Sequence, residues 1–245
     1  MFVDFHNHLH SYKDRLDEAL CFIRKEGILT LDCTIHPEDY AFSRSIGRKS
    51  PYVISGFGIH PWEAHRFHEN LEELEPMMKE AAFIGEIGLD FHWVTDKATY
   101  PAQRAVCDFM IRRSREMGKM CNLHTKGAET EVLALLKKYD HPKAVVHWYS
   151  GSRHVFDRLK DFGCCFTIGI DVHTSQQTKE MVEQLPLERI LTETDGMETR
   201  QWLDGTPGFP EDIIHVVEAV AGIKGIPKEQ VVETVYNTTL SLLKG

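Results

Sequence analysis

Asp4, His6 and His8 are spaced by two in the segment FVDFHNHLH. Alternate side chains of an extended strand share a face, so one edge of this segment presents a carboxylate and two imidazoles together. Two imidazoles one step apart can chelate a single divalent ion. Alone, the triplet reads equally well as polar residues at an exposed strand end. Glu86 stands inside the apolar run AFIGEIGLD. An unpaired buried carboxylate is costly, so a proton, a cation or a metal is expected to neutralise it. The flanking Gly85 and Gly88 leave room for something close to the backbone. His124 in NLHTK and His147 in VVHWYSG end two further apolar runs. Either one alone reads as a satisfied rim histidine; their matching positions favour ligation. In ILTETDG, Glu193 and Asp195 share parity. Asp195 is placed to ligate a metal and take a proton from water, with Glu193 a layer deeper as hydrogen-bonding support. His6, His8, Glu86, His124, His147 and Asp195 thus supply four imidazoles and two carboxylates. Such ligands suit Zn, Mn, Fe or Co better than Mg alone. They are too many for one tetrahedral zinc with an open position, and two ions sharing a bridging Glu86 would use them all.

Something must bring these residues together. Short runs rich in Val, Ile, Phe, Leu or Thr predict strands over 2–8, 27–34, 52–60, 82–90, 119–125, 144–150, 164–171 and 190–196. Apolar residues at three- and four-residue steps predict helices over 16–27, 70–81, 99–118, 129–140, 154–163, 178–186, 209–225 and 228–245. Residues 37–50 read as a short helix at most, and 91–100 and 197–210 as longer loops. Eight strands alternating with helices imply a parallel sheet. That number points to an α/β fold closed as a (β/α)8 TIM barrel, a single domain over residues 1–245, with its site at the C-terminal strand ends.

The chain carries 28 Lys and Arg against 37 Asp and Glu, a net charge of −9, with 14 His. This balance argues against sequence-independent coating of nucleic acid. A short phosphate-bearing substrate stays open where bound metals supply local positive charge. The six cysteines form no CxxC pair and the N-terminal segment lacks a basic, apolar leader, so a reduced, cytoplasmic protein is expected. No apolar run approaches the ~20 residues that span a bilayer, and no obligatory protein partner is evident.

DFHNHLH (4–10), GIHPWE (58–63), GEIGLD (85–90), the helix containing Gln103, LHTK (123–126), HWYSG (147–151), ETDG (193–196) and YNTT (236–239) follow one another in an order and spacing that resemble the TatD-like metal-dependent hydrolases, within the amidohydrolase-type barrels. The resemblance runs through nearly the whole chain. It implies two divalent ions, with His6, His8 and Asp195 on one, His124 and His147 on the other, and Glu86 bridging. It also implies deoxyribonuclease-type hydrolysis of phosphodiester bonds, in some members as a 3′ exonuclease, with His60 facing the substrate phosphate. Asp195, Glu86 and His60 would then be the catalytic set, and His60 and Lys126 the groups on the phosphate. Three departures stand out. Lys126 replaces the family's arginine and loses its two-pronged grip on phosphate. Trp148-Tyr149 replaces Cys-Phe, and Gly196-Met197 replaces a small residue and proline. These changes alter the pocket wall, so the same barrel acting on a small ester, lactone or amide is the alternative, followed by a non-catalytic metal-binding barrel. Arg200, Trp62, Trp93 and Trp148 fall in loops near the expected mouth. Their rings read as stacking surfaces for a base, or, for at least two, as loop packing.

Overall fold

The apolar runs and the amphipathic stretches between them alternate in the computed structural model, which describes residues 1–244; Gly245, the end of the last helical pattern, lies outside them. The elements are β1 (Phe2–Asn7), α1 (Leu16–Glu26), β2 (Ile28–Asp32), α2 (Pro37–Gly47), β3 (Val53–Phe57), α3 (Glu75–Glu80), β4 (Phe83–Gly88), α4 (Tyr100–Glu116), β5 (Cys121–His124), α5 (Glu129–Lys138), β6 (Ala144–Val146), α6 (Arg153–Phe162), β7 (Cys165–Ile168), α7 (Gln176–Gln184), β8 (Ile190–Thr192), α8 (Glu198–Asp204), α9 (Asp212–Lys224) and α10 (Lys228–Leu243). The strands run in sequential order, β1 to β8, in one parallel sheet. This is the (β/α)8 barrel class expected from the alternation.

The chain divides into two compact units, one of Met1–Asp32, Phe42–Ile54 and Phe166–Ser241, the other of Cys33–Ala41, Ser55–Cys165 and the chain end from Leu242. In the first, the helix faces of α1 and α9 bury Ala19, Ile23 and Ile213 with Leu9, Tyr12, Ile28 and Phe209. The Thr192 hydroxyl donates to the Val3 carbonyl at 2.7 Å, which ties β8 to β1. In the second, Phe57, Phe83, Ile84, Ile87, Leu123 and Val145 from the strands are buried along with Val106, Met110 and Leu136 from the helices.

Two differences from the sequence reading matter. Strands β6 and β8 end several residues early. Trp148 takes φ 35° and Asp195 φ 56°, and neither conformation continues a strand. Residues 197–210 also contain the helix α8, seven residues long, closed by an i,i+4 contact of Arg200 with Asp204 and by Gly205 at φ 82°. Its side chains are mostly exposed and carry no apolar period, which is why the pattern reads as loop.

Candidate metal centre

In the first unit the end of β1 carries His6 and then His8, whose Nε2 atoms stand 3.0 Å apart. Asp195 Oδ1 lies 3.4 Å from His6 Nε2 and 3.3 Å from His8 Nε2. Two neutral imidazoles cannot point lone pairs at each other at that distance without a proton or a cation between them. Two ligand atoms each ~2.1 Å from one ion stand roughly 3.0–3.4 Å apart at octahedral to tetrahedral angles, and all three separations fall there. The backbone brings Asp195 in. Its amide donates to the His6 carbonyl at 2.9 Å, and the preceding Thr194 amide donates to Asp4 Oδ1 at 2.9 Å. The Asp4 carboxylate also accepts from the Thr194 hydroxyl at 2.6 Å and from the Asn7 side-chain Nδ2 at 2.8 Å. Burial pushes the Asp4 pKa up to about 7 in spite of these bonds. Thr199, on α8, donates its hydroxyl to Asp195 Oδ2 at 2.6 Å and fixes the carboxylate's rotation.

In the second unit Glu86 Oε1 is the common point. His124 Nδ1 and His147 Nε2 each lie 2.8 Å from it, and His60 Nε2 lies 3.4 Å away. His60 Nε2 is 3.3 Å and His147 Nε2 3.4 Å from His124 Nδ1. All four side chains are buried. Glu86 points here because the β4–β5 register slips between Ile84 and Ile87. Its amide leaves the ladder to donate to the Thr34 carbonyl at 3.0 Å. The glycines on either side serve backbone approach. A Cβ on Gly88 would sit 1.9 Å from the His124 carbonyl oxygen, and one on Gly85 2.7 Å from Asn122 Cβ. The room they leave is filled by strand β5.

Asp90, just beyond β4, holds this group from behind. It is fully buried, and its Oδ2 lies 3.0 Å from His124 Nε2. A carboxylate on the far nitrogen of a histidine is the usual support for a metal-facing imidazole. Burial alone would raise the Asp90 pKa and lower that of His124. Their mutual hydrogen bond and charge, with the Trp62 indole on Asp90 and Glu86 on His124, win over burial. Asp90 is held below its ordinary value and His124 above it. The buried Gln103 on α4 accepts the Asp90 amide at 2.9 Å.

Lys126 is buried beside the end of β5. Its ammonium donates to the Trp148 carbonyl and, at 3.2 Å, to Ser150 Oγ, and lies 4.4 Å from the centre of the Trp148 ring. Two positions that depart from the family pattern therefore touch each other. The cation secures an aromatic residue held at positive φ, immediately after His147.

The sequence reading placed His60 toward a substrate. The structure sets its Nε2 within the group around Glu86, and a period-two count could not show this because His60 lies past the end of β3. Asp90 lies inside the GEIGLD motif, but its partners come from the segments after β3 and β4, from α4 and from the end of β5.

The first group fits a divalent ion by ligand chemistry and spacing, and the group around Glu86 by its ligand chemistry, with two of its contacts at 2.8 Å. Within the described residues, His6–His8–Asp195 and His60–Glu86–His124 each place their ligand atoms within 4.8 Å of one another. No helix among those residues is long and apolar enough to cross a membrane, and no disulfide joins the described cysteines, of which Cys21 alone is exposed.

An uncharacterised metal-dependent hydrolase of Methanocaldococcus jannaschii is 26% identical over 99% of this chain and 97% of its own length. The 3′-5′ ssDNA/RNA exonuclease TatD of Edwardsiella piscicida is 32% identical, over 56% of this chain and 55% of its own. Among solved structures, YjjV, a TatD homologue from Escherichia coli K12, superposes with a TM-score of 0.85 at 22% identity, covering 98% of this chain and 97% of that one. The family model described as TatD related DNase matches residues 3–244. The chain belongs to the TatD-related DNase family and is a metal-dependent hydrolase.

Proposed function

We propose that this hydrolase is a nuclease-type phosphodiesterase that works with two divalent ions on DNA or another phosphoester. One observation carries the reading: each compact unit gathers its own set of imidazoles and carboxylate within 2.8–3.4 Å, His6, His8 and Asp195 in one and Glu86, His124 and His147 in the other. The family's description and the exonuclease named among its relatives support a nucleic-acid substrate. The imidazole-rich sets favour Zn, Mn, Fe or Co.

Divalent ions held by these side chains would supply water with a pKa near neutrality and polarisation of a phosphoryl oxygen. Asp195, with Oδ2 held by Thr199, accepts the proton of the attacking water and passes it to the leaving oxygen. Asp90 keeps His124 turned with Nδ1 toward Glu86. His60 and Lys126 stabilise charge on the phosphate oxygens.

Elemental analysis of protein purified without chelators, followed by a panel of oligonucleotides, small phosphodiesters, esters, lactones and amides in that metal, tests the reading. Phosphodiester turnover with bound transition metal is expected. Turnover confined to carbonyl substrates would move the function to the other class. Asp195→Asn is expected to keep most of its metal and lose about 10²- to 10⁴-fold in kcat; near wild-type turnover would remove its proton-transfer role. Glu86→Ala is expected to lower the ion count, by one if the carboxylate serves a single ion and by two if it bridges. A fall in metal content in His60→Ala would make His60 a ligand; unchanged content with raised KM would leave it on the phosphate.

A further inference from the structure

Tryptophan is on average a well-buried residue, yet two tryptophans stand open beside the group around Glu86. Trp62 is 44% exposed and Trp93 59%. Neither is loosely held. Trp62 Nε1 donates to Asp90 Oδ2 at 2.7 Å, and its amide donates to His60 Nδ1 at 3.3 Å. Its ring meets that of His60 edge to face, with centroids 4.8 Å apart at 86°. The Trp93 amide donates to Asp90 Oδ1 at 2.7 Å, and the His92 amide to the same oxygen at 3.0 Å. The Phe91 amide donates to the Lys126 carbonyl at 2.8 Å, which fixes the start of that loop. Asp90 Oδ2 also contacts His124. One buried carboxylate therefore contacts His124, the Trp62 indole and the Trp93 backbone.

We infer that Trp62 and Trp93 form a stacking subsite for an unpaired nucleobase of a single-stranded nucleic acid, and that Asp90 is the positioning residue that holds the Trp62 ring and the Trp93 backbone in register with His124. The inference rests on the phosphodiesterase reading above and names the form of its substrate. The Trp62 ring, tied down at its indole N–H, loses little conformational entropy when a base is laid on it, and Trp93, anchored through its backbone amide, offers further exposed ring surface. The occupant follows from charge. A net charge of −9 disfavours holding a strand by many phosphate contacts. Grip on the bases has to supply affinity that the backbone does not, and a duplex hides base faces that a single strand offers.

The test compares a short single-stranded oligonucleotide with the same strand made abasic at one position near its 3′ end. Binding is read by quenching of tryptophan fluorescence, and turnover as KM and kcat. Wild-type protein is expected to prefer the intact strand. In Trp62→Ala the preference, read as a ratio of binding constants and of KM values, falls by about 5- to 150-fold, the range that one stacked base supplies. Trp62→Phe restores most of it, and Trp93→Ala lowers it in the same direction. No preference in the wild type, or a wild-type ratio in both alanine variants, overturns the subsite. So does a dimer in sedimentation that Trp62→Ala abolishes, which would assign the rings to a second copy of the chain. If neither strand is cleaved but the binding preference and its loss in Trp62→Ala are seen, the subsite stands and the phosphodiesterase reading falls instead.

Discussion

Asp90 shows how much one side chain outside the ligand set can decide. It accepts from the Trp62 indole and from the amides of His92 and Trp93, and its Oδ2 faces His124 Nε2. Asp90→Asn keeps the volume and one accepting oxygen but removes the charge that orients the imidazole. Loss of such support commonly costs about 10- to 100-fold in metal affinity. That loss, read by competition with a chromophoric chelator, is the expected outcome, together with a red-shifted Trp62 emission as the indole loses its partner. Unchanged metal affinity would reduce Asp90 to a loop anchor. In sequence, Asp90 was visible only as the end of a motif, because its partners lie at positions 62, 92, 93 and 124. Lys126 teaches the same lesson from another side. Its type announced a charge for phosphate, while its contacts with Trp148 and Ser150 follow from how two loops meet.

The elements carry two further expectations. Gly88 has φ 148°, and a Cβ there would collide with the His124 carbonyl. Gly88→Ala must strain the backbone and push β5 from β4. Backbone strain alone costs on the order of 1–3 kcal/mol, so a lower urea midpoint at constant m-value is expected, with weakened metal binding because His124 ends β5. His141 follows α5 and is buried, with Nε2 2.7 Å from Ser114 Oγ on α4. Burial first, then the charges of Arg115 and Lys143, bring its pKa down from 6.5 to about 4. Between those values the unfolded chain binds the proton and the folded one does not, so stability rises with pH across the window. The contribution is complete above 6.5 and is lost as pH falls toward 4, up to about 3 kcal/mol. His141→Gln is expected to flatten that slope in denaturant titrations from pH 4 to 6.5; an unchanged slope would place the acid sensitivity elsewhere. The eight-fold alternation was plain in the sequence because each strand is apolar and each long helix has a buried face. Helix α8 was not, since its seven mostly exposed residues leave no periodic trace.

For the whole molecule, ions bound to the folded chain and not to the unfolded one add stability by mass action, about 2.7 kcal/mol per site at a hundred-fold excess over Kd. Chelation with EDTA is expected to lower the thermal midpoint and inactivate together, and re-addition of the metal to restore both. A midpoint indifferent to EDTA, in protein shown to contain no stoichiometric metal, would undo the metal reading. The amino-acid sequence by itself determined the (β/α)8 class, because strand and helix periodicities depend on local order, and it determined the imidazole and carboxylate types at the strand ends. Tertiary structure decided which atoms meet. His124 presents Nδ1 to Glu86 and Nε2 to Asp90, His60 joins the group around Glu86, and Asp195 reaches His6 and His8 from a residue at positive φ beyond the end of β8. Parity along a strand predicts a face only while the strand lasts, and His60, His147 and Asp195 sit where their strands have just ended.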